Sequence, residues 1–541
     1  MKKYISIVWV YLLAISLLTG CSLNEENIRY PVADTYYKTE AGAKSLVNSC
    51  YSYLRGIYGN YEGWVINIQG TDLFLFGGDG DQLFGRYEFI TSASVTTNVW
   101  NNSYNGITAC NTLLSRADEI DASAGVVDDF KGQALFLRAF YFHNLVMHFG
   151  GVPLVIDEVT SVVTTAVRAT EEEVYARIIA DLLEAERLLP PAQPDYGRVT
   201  RPAAQALLAR VYLWNRQWAN AATYARKLID NPQFQLLSDY ADLWDVDNQK
   251  NEEVIWAVQY TQSVKLNGSG NVGNNVFLMR YDIRPGMLRD MENGRPFRHH
   301  MPSRYFLNLL HANQWWDSRF DKAYTYLWNA NNEATLLPGM TLGDTAVFVP
   351  PYSVPAEVKE RTKNKYTTYD IDFYYNANSP NGEVPLGPRE TFPSLNKFMD
   401  PKRPAIPDPG TRDFTVLRLA EMYLIAAEAL MMDGKSNEGV AYINEIRRRA
   451  AWDAESYEKA KLTADQLTID AILEERALEL AGECVGRWPD LKRTGKLIER
   501  VRLYNPDGRP NIQEKHLLRP IPQTMMDRVS NKDEFKQNPG W

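Results

Sequence analysis

The sequence predicts an all-α protein, built of helical hairpins and carrying an irregular, aromatic-rich capping region. Apolar residues recur at helical spacing along most of the chain. Two stretches, 200–232 and 414–450, each read as a pair of helices folded back on one another. Between them, over about residues 261–410, the helical rhythm fades into Gly, Pro, Asn and aromatic residues.

In chain order, residues 1–20 have the shape of a secretory signal, with Lys2 and Lys3 ahead of an apolar run from Ile5 to Leu18. Leu18-Thr19-Gly20-Cys21 resembles a bacterial lipobox. Cys21 is therefore expected to carry lipid, and residues 21–38 to act as a tether that anchors the chain to a membrane without spanning it. Residues 39–541 are expected to form one helical domain with the irregular insertion at about 261–410. Cys50, Cys110 and Cys484 remain. An odd number at distant spacing is neither a disulfide framework nor a zinc pattern.

Residues 39–58 read as the first helix, with Leu46, Val47, Cys50, Tyr51, Leu54 and Ile57 on one face. Residues 60–97 read as an aromatic- and glycine-rich loop. Residues 100–120 return to helix through Tyr104, Ile107, Cys110, Leu113 and Leu114. Residues 134–149 are apolar nearly all round, broken only by Arg138, His143, Asn144 and His148, as suits a helix packed inside a large core. Gly150-Gly151 and Pro153 stop it, since glycine accepts the left-handed cap and proline cannot continue a helix. Thr170 and Glu173 form a capping box for the next helix. In 200–232, Thr200 caps, Pro202 starts the helix, and alanines let two helices approach closely. The length resembles a tetratricopeptide unit of about 34 residues. Residues 414–450 repeat the plan, and 468–483 add another helix.

Acidic residues number 67 against 58 Lys and Arg, which gives no basic footprint for nucleic acid. Asp79 and Asp81 lack the spacing and the closing glutamate of a calcium loop, so no metal or other cofactor is expected. Catalysis is not expected either. No nucleophile elbow appears, and His143 and His148 stand five apart, off the face that a helical metal pair uses. Glu474, Glu475 and Glu479 fall within a helix, and Glu171, Glu172 and Glu173 serve a cap.

Several separate stretches, in order, resemble the SusD/RagB family of outer-membrane nutrient-binding lipoproteins of Bacteroidetes-type bacteria. They are the lipobox at Cys21, FLRAFYFHNLVMHFGGVPLV, RVTRPAAQALLARVYLW with QWANAATYARKLI, and FTVLRLAEMYLIAAEAL with INEIRRRA. ILEERALELAGE with RWPDLKRTG follows, and the tail LRPIPQTMMDRVSNKDEFKQNPGW completes the set. Pro489 departs from the pattern, where the family has an aromatic residue. The resemblance implies a SusD-like fold with tetratricopeptide-like repeats. It also implies a cell-surface, lipid-anchored protein that passes a glycan, or alternatively a peptide, to a SusC-like TonB-dependent transporter.

The matched motifs are structural, so ligand residues must be sought by chemistry. Sugars offer apolar C–H faces to aromatic rings, and hydroxyls to short polar side chains. Two places combine these. The first is Trp64, Asp72, Phe76, Arg86, Trp100 and Asn101, in the early region where the resemblance implies Trp and Asn at sugar sites. The second is Trp315, Trp316, Tyr324 and Trp328. Both sets are expected to bind ligand.

Overall fold

The computed structural model describes residues 33–268, 270–483 and 486–541. Cys21 with its lipobox, and Cys484, lie outside them. Among the described residues no helix is long and apolar enough to cross a membrane.

The scaffold is a stack of helices in which, from Ser94 onward, each packs on the next. After α1 (Glu40–Ser52) and α2 (Tyr61–Ile68) come α3 (Ser94–Arg116), α4 (Ala124–Phe149), α5 (Glu171–Leu188), α6 (Arg201–Trp214) and α7 (Trp218–Ile229). The neighbours pack as α3 on α4, α4 on α5, α5 on α6 and α6 on α7. The next helix of the stack, α8 (Leu419–Met432), lies against α7 although some 190 residues separate them, and α9 (Ser436–Ala450) then packs on α8. Helices α10 (Ile469–Leu480) and α11 (Arg487–Arg493) close the C-terminal side.

Helix α4 is the axis of the core. Its residues from Gly132 to Phe149 are buried on every face. Each large apolar side chain so buried contributes roughly 1.5–3 kcal/mol. Its polar residues are handled individually. Arg138 forks onto Asp181 of α5 at 2.8 and 2.9 Å and also donates to Asn111 Oδ1 at 3.0 Å. Asn144 accepts from the Tyr58 hydroxyl at 2.7 Å. A Cβ at Gly106 would lie 2.2 Å from the Tyr141 ring, so only glycine lets α3 approach α4 this closely. The helix ends at Gly150, whose φ of +72° is a conformation other residues resist. The capping box of α5 forms as its residues predict: Thr170 Oγ1 accepts from the Glu173 N–H at 3.2 Å, and Glu173 returns a carboxylate to the Thr170 N–H at 2.8 Å.

Two stretches differ from the sequence reading. Residues 60–97 are not all loop. Tyr61–Ile68 is helical and buried almost all round, so it shows no one-sided stripe. β1 (Phe74–Phe76) pairs with β3 (His300–Pro302), a partner that local pattern cannot reveal. Likewise Phe414–Arg418 is not the start of a helix but strand β9, which runs antiparallel to β2 (Val254–Val258). This pair closes the base of a long excursion between the two strands. Within the excursion, β4 (Tyr324–Thr325) pairs with β8 (Ser394–Leu395). β5 (Leu327–Asn329), β6 (Thr345–Phe348) and β7 (Thr367–Thr368) make a three-stranded sheet.

Candidate functional site

The excursion folds against the scaffold and leaves a cleft of about 640 Å³. One wall is β5 and the residues after it, Leu327 to Asn331. The turn at Asp290–Asn293 supplies a second wall. Trp244 and Asp245 come from the segment leading into β2, and Lys322 and Asn396 from either side of the β4–β8 pair. The volume lies within the roughly 300–1,000 Å³ of small-ligand sites.

The walls are held from behind. Trp328 stacks on Tyr281, with ring centres 4.5 Å apart and planes 7° from parallel. Asp290 is gripped by Asn293 Nδ2 at 3.0 Å and by Asn331 Nδ2 at 2.5 Å, and Asn331 Oδ1 accepts from the Leu288 N–H at 2.8 Å. Half-buried Trp244 has the Lys397 ammonium 4.7 Å from its ring. Burial brings that ammonium down to about 8, against the opposing pull of Glu483. Lys322 pairs with Asp239 at 2.9 Å. Burial alone would raise the Asp239 carboxyl, but the Ala241 N–H and Lys322 hold it below its ordinary value.

The inner surface keeps hydrogen-bonding capacity in reserve. Among the described residues, the side-chain amides of Asn329 and Asn396 and the Glu292 carboxylate have no hydrogen-bond partner in this structure. The indole N–H groups of Trp244 and Trp328 are also unpaired, but they are buried within the wall and do not open onto the cleft. Amides beside carboxylates can fork hydrogen bonds to adjacent hydroxyls, and the half-buried Trp244 ring offers apolar area.

Sequence comparison fits this architecture. Residues 252–541 match the SusD family, and residues 81–213 match a family described as starch-binding associating with outer membrane. The chain belongs to the SusD family. SusD-like protein P2 of Formosa agariphila is 28% identical over 564 aligned residues, spanning 100% of both chains. The starch-binding protein SusD of Bacteroides thetaiotaomicron is 23% identical over 441 residues, covering 76% of this chain and 72% of its own. A laminarin binding SusD-like protein of known structure superposes with a TM-score of 0.68 at 23% identity, covering 93% of this chain and 100% of that one. Surface glycan-binding protein A from Bacteroides thetaiotaomicron, solved in complex with laminarihexaose, gives 0.68 at 20% identity, with coverage of 92% and 99%. These structural likenesses establish a shared, mostly helical SusD-like fold.

Within this SusD-like fold the expected site residues separate. Trp328 backs the cleft wall, but at 2% exposure with its ring against Tyr281 it supports the wall and presents no open face. Trp64 is not a platform: it is enclosed by Phe277, Phe398 and Phe414, and its indole N–H donates to the Gly482 carbonyl at 2.9 Å. Trp100 is likewise interior, edge-on to Phe149. Trp316 is covered by Arg447, 4.3 Å from its ring, and donates to Asn313 Oδ1. Tyr324 is buried against Phe320. Asp72 is an internal carboxylate paired with Arg487 at 2.7 Å and Arg500 at 3.1 Å. Burial opposes its ionisation, but the two guanidinium groups hold it below the usual range. Phe76 lies buried under Arg389 at 3.9 Å and half-buried Arg86 at 5.2 Å. Asn101 is exposed on α3, and Trp315 is 57% exposed. Trp452, which the sequence reading passed over, is 49% exposed and sits beside it in the fold: its indole N–H donates to the Gln314 carbonyl at 2.9 Å and its backbone N–H to Trp316 at 3.0 Å.

The sequence reading also missed Trp244, Asp290, Asn293, Asn329, Asn331 and Asn396. A signal existed for two of them. Asn329 follows Trp328 directly and Asn331 comes two residues later, the pattern of an aromatic with short polar neighbours. The others arrive from distant segments.

Proposed function

We propose that this SusD-family chain is a lipoprotein of the outer membrane, anchored at the cell surface through Cys21. It captures an oligosaccharide in the asparagine-lined cleft and delivers it to a SusC-like TonB-dependent transporter. The reading is of a binding protein, not an enzyme. The observation that carries it is the set of short amides, Asn293, Asn329, Asn331 and Asn396, gathered with half-buried Trp244 on one 640 Å³ cleft. Side-chain amides on a concave wall donate and accept at once, which suits a ligand rich in hydroxyls. Names in the family point the same way: relatives and structural neighbours include starch-binding and laminarin binding proteins.

The test is calorimetric titration of residues 22–541 with neutral oligosaccharides and, separately, with peptide digests. The expected result is saturable binding to one glycan class, with no product formed, and at least tenfold weaker binding by Asn329→Ala combined with Asn396→Ala. Binding to peptides alone would move the protein to peptide uptake. Glycan binding indifferent to the double substitution would remove this cleft as the site.

A further inference from the structure

A second cleft, of about 670 Å³, opens where the C-terminal end of α1 meets the loop at residues 194–198 and the end of β2. Its lining is chemically unlike the first. Three cations face it: Arg55, Arg198 and Lys250. None of them makes an ion pair among the described residues. Arg198 donates to Asn48 Oδ1 and to Gln133 Oε1, the latter at 3.4 Å, and its guanidinium lies 5.1 Å from the Tyr51 ring. Arg55 donates to the carbonyls of Gln259 and Leu266. Exposed Lys250 rests its ammonium 4.8 Å from the Tyr196 ring and makes no hydrogen bond among the described residues.

These partners are neutral. They fix where the cations stand without cancelling their charge. Arginines elsewhere are treated differently: Arg138 meets Asp181, Arg210 meets Glu421, and Arg389 meets Asp507, each within 2.8 Å. The protein carries a net charge of −9, so carboxylates are not scarce. One carboxylate, exposed Asp195, lines the cleft. Asp413 is near enough to act on Lys250 and Arg55; it stands outside the lining, where it accepts from the Tyr260 N–H at 2.8 Å. Asp129, close to Arg198, is held by the amides of Gln133 and Gln193 at 2.7 and 2.6 Å. Counted over the lining alone, the three cations face the single carboxylate of Asp195, while Asp413 and Asp129 keep their charge outside it. Guanidinium and ammonium groups in a recess recognise carboxylates and sulfates, the first as a fork and the second as a point charge. The amides of Asn48 and Gln259 stand beside them for hydroxyls.

We infer that this cleft is a second ligand site, selective for an acidic oligosaccharide whose anion is a uronate carboxylate or a sulfate ester. The inference rests on reading the protein as a glycan receptor, and it adds a substrate class that the first cleft does not favour, since Asp245, Asp290 and Glu292 line that one.

The test titrates residues 22–541 with an oligogalacturonate, with a sulfated galactan oligosaccharide, and with a neutral gluco-oligosaccharide, each at 50 and 300 mM NaCl. One of the two acidic ligands is expected to bind saturably and to weaken at the higher salt, because screening shortens the reach of exposed charges. Which of the two binds separates the carboxylate from the sulfate. Lys250→Glu is expected to weaken that binding at least tenfold. Lys250 is exposed and makes no hydrogen bond or ion pair among the described residues, so the variant should fold, and Arg198→Gln gives a second reading of the same cleft. Asn329→Ala, in the other cleft, should leave acidic binding unchanged. Failure of both acidic ligands to bind, or wild-type affinity in Lys250→Glu and Arg198→Gln, overturns the inference. Neutral binding that depends on Asn329 would survive that failure, so the two sites stand or fall separately.

Discussion

Arg319 and Glu479 form an ion pair at 2.9 Å across 160 residues of chain, joining the excursion to helix α10 in a fully buried setting. Glu479 also accepts from Arg418 at 2.6 Å and Arg449 at 2.5 Å, so one carboxylate answers three guanidinium groups. Glu253, Glu475, Glu483 and Asp317 complete the network around those arginines. A buried pair adds little net stability over a hydrophobic one, but removing one partner leaves uncompensated charge. Glu479→Ala is therefore expected to cost about 3–5 kcal/mol, read as a fall in the denaturation midpoint. A loss under 1 kcal/mol would show that water or local rearrangement rescues the arginines.

The same network sets an acid limit. Burial alone would raise Glu479, but Arg449, Arg418 and Arg319 outweigh it and hold its carboxyl far below the ordinary value. A carboxyl depressed in the folded state contributes stability that is present above its unfolded pKa, about 4.3, and is lost as pH falls toward the folded value. His143 acts in the same direction and starts at higher pH. Burial, helped by Arg210, lowers it to about 3. Its unfolded pKa is about 6.5. Between those values the unfolded chain takes a proton that the folded one refuses. Stability should then fall as pH drops from about 6.5, by at most roughly 1.4 kcal/mol per pH unit for this group. Neither ring nitrogen of His143 has a hydrogen-bond partner. His143→Leu is expected to flatten the decline between pH 6 and 4 in thermal unfolding. An unchanged slope would mean that other groups set it.

Trp100→Ala is expected to destabilise by about 3–5 kcal/mol, as large-to-small changes at fully buried aromatics do, because Trp100 is 3% exposed and packs on Tyr104 and Phe149. A melting temperature near that of the wild type would contradict its core position. The sequence contained this answer. Tyr104, Ile107 and Cys110 mark the inner stripe of α3, and stepping back along it arrives at Trp100, while Asn101 turns about 100° away and is exposed. Polar neighbours in sequence are not neighbours in space on a helix. The scaffold was legible for the same reason: stripes, the Thr170–Glu173 box and the Gly150 stop are local signals. The excursion was not, because its form depends on pairings such as Val254 with Arg418 and Phe74 with Pro302. The cleft was legible only in Trp328 and the asparagines beside it. Trp244 and Asn396 are brought there by the fold.

Trp315 and Trp316 are adjacent in sequence and opposite in circumstance, which allows binding and folding to be separated. Trp315 is 57% exposed. Trp316 is 1% exposed, beneath Arg447. Trp316→Ala is expected to cost about 3–5 kcal/mol by cavity formation. Trp315→Ala should change stability by no more than about 0.5 kcal/mol, as surface substitutions do. If the exposed indoles of Trp315 and Trp452 serve as a stacking surface for long glycans, Trp315→Ala should weaken retention on an immobilised polysaccharide by about two- to tenfold, the equivalent of about 0.5–1.5 kcal/mol for an aromatic contact, while leaving short-oligosaccharide binding in the asparagine cleft intact. Equal retention of the variant and the wild type would leave Trp315 a bare surface residue. Loss of both long and short ligands would place it in the same site as Asn329.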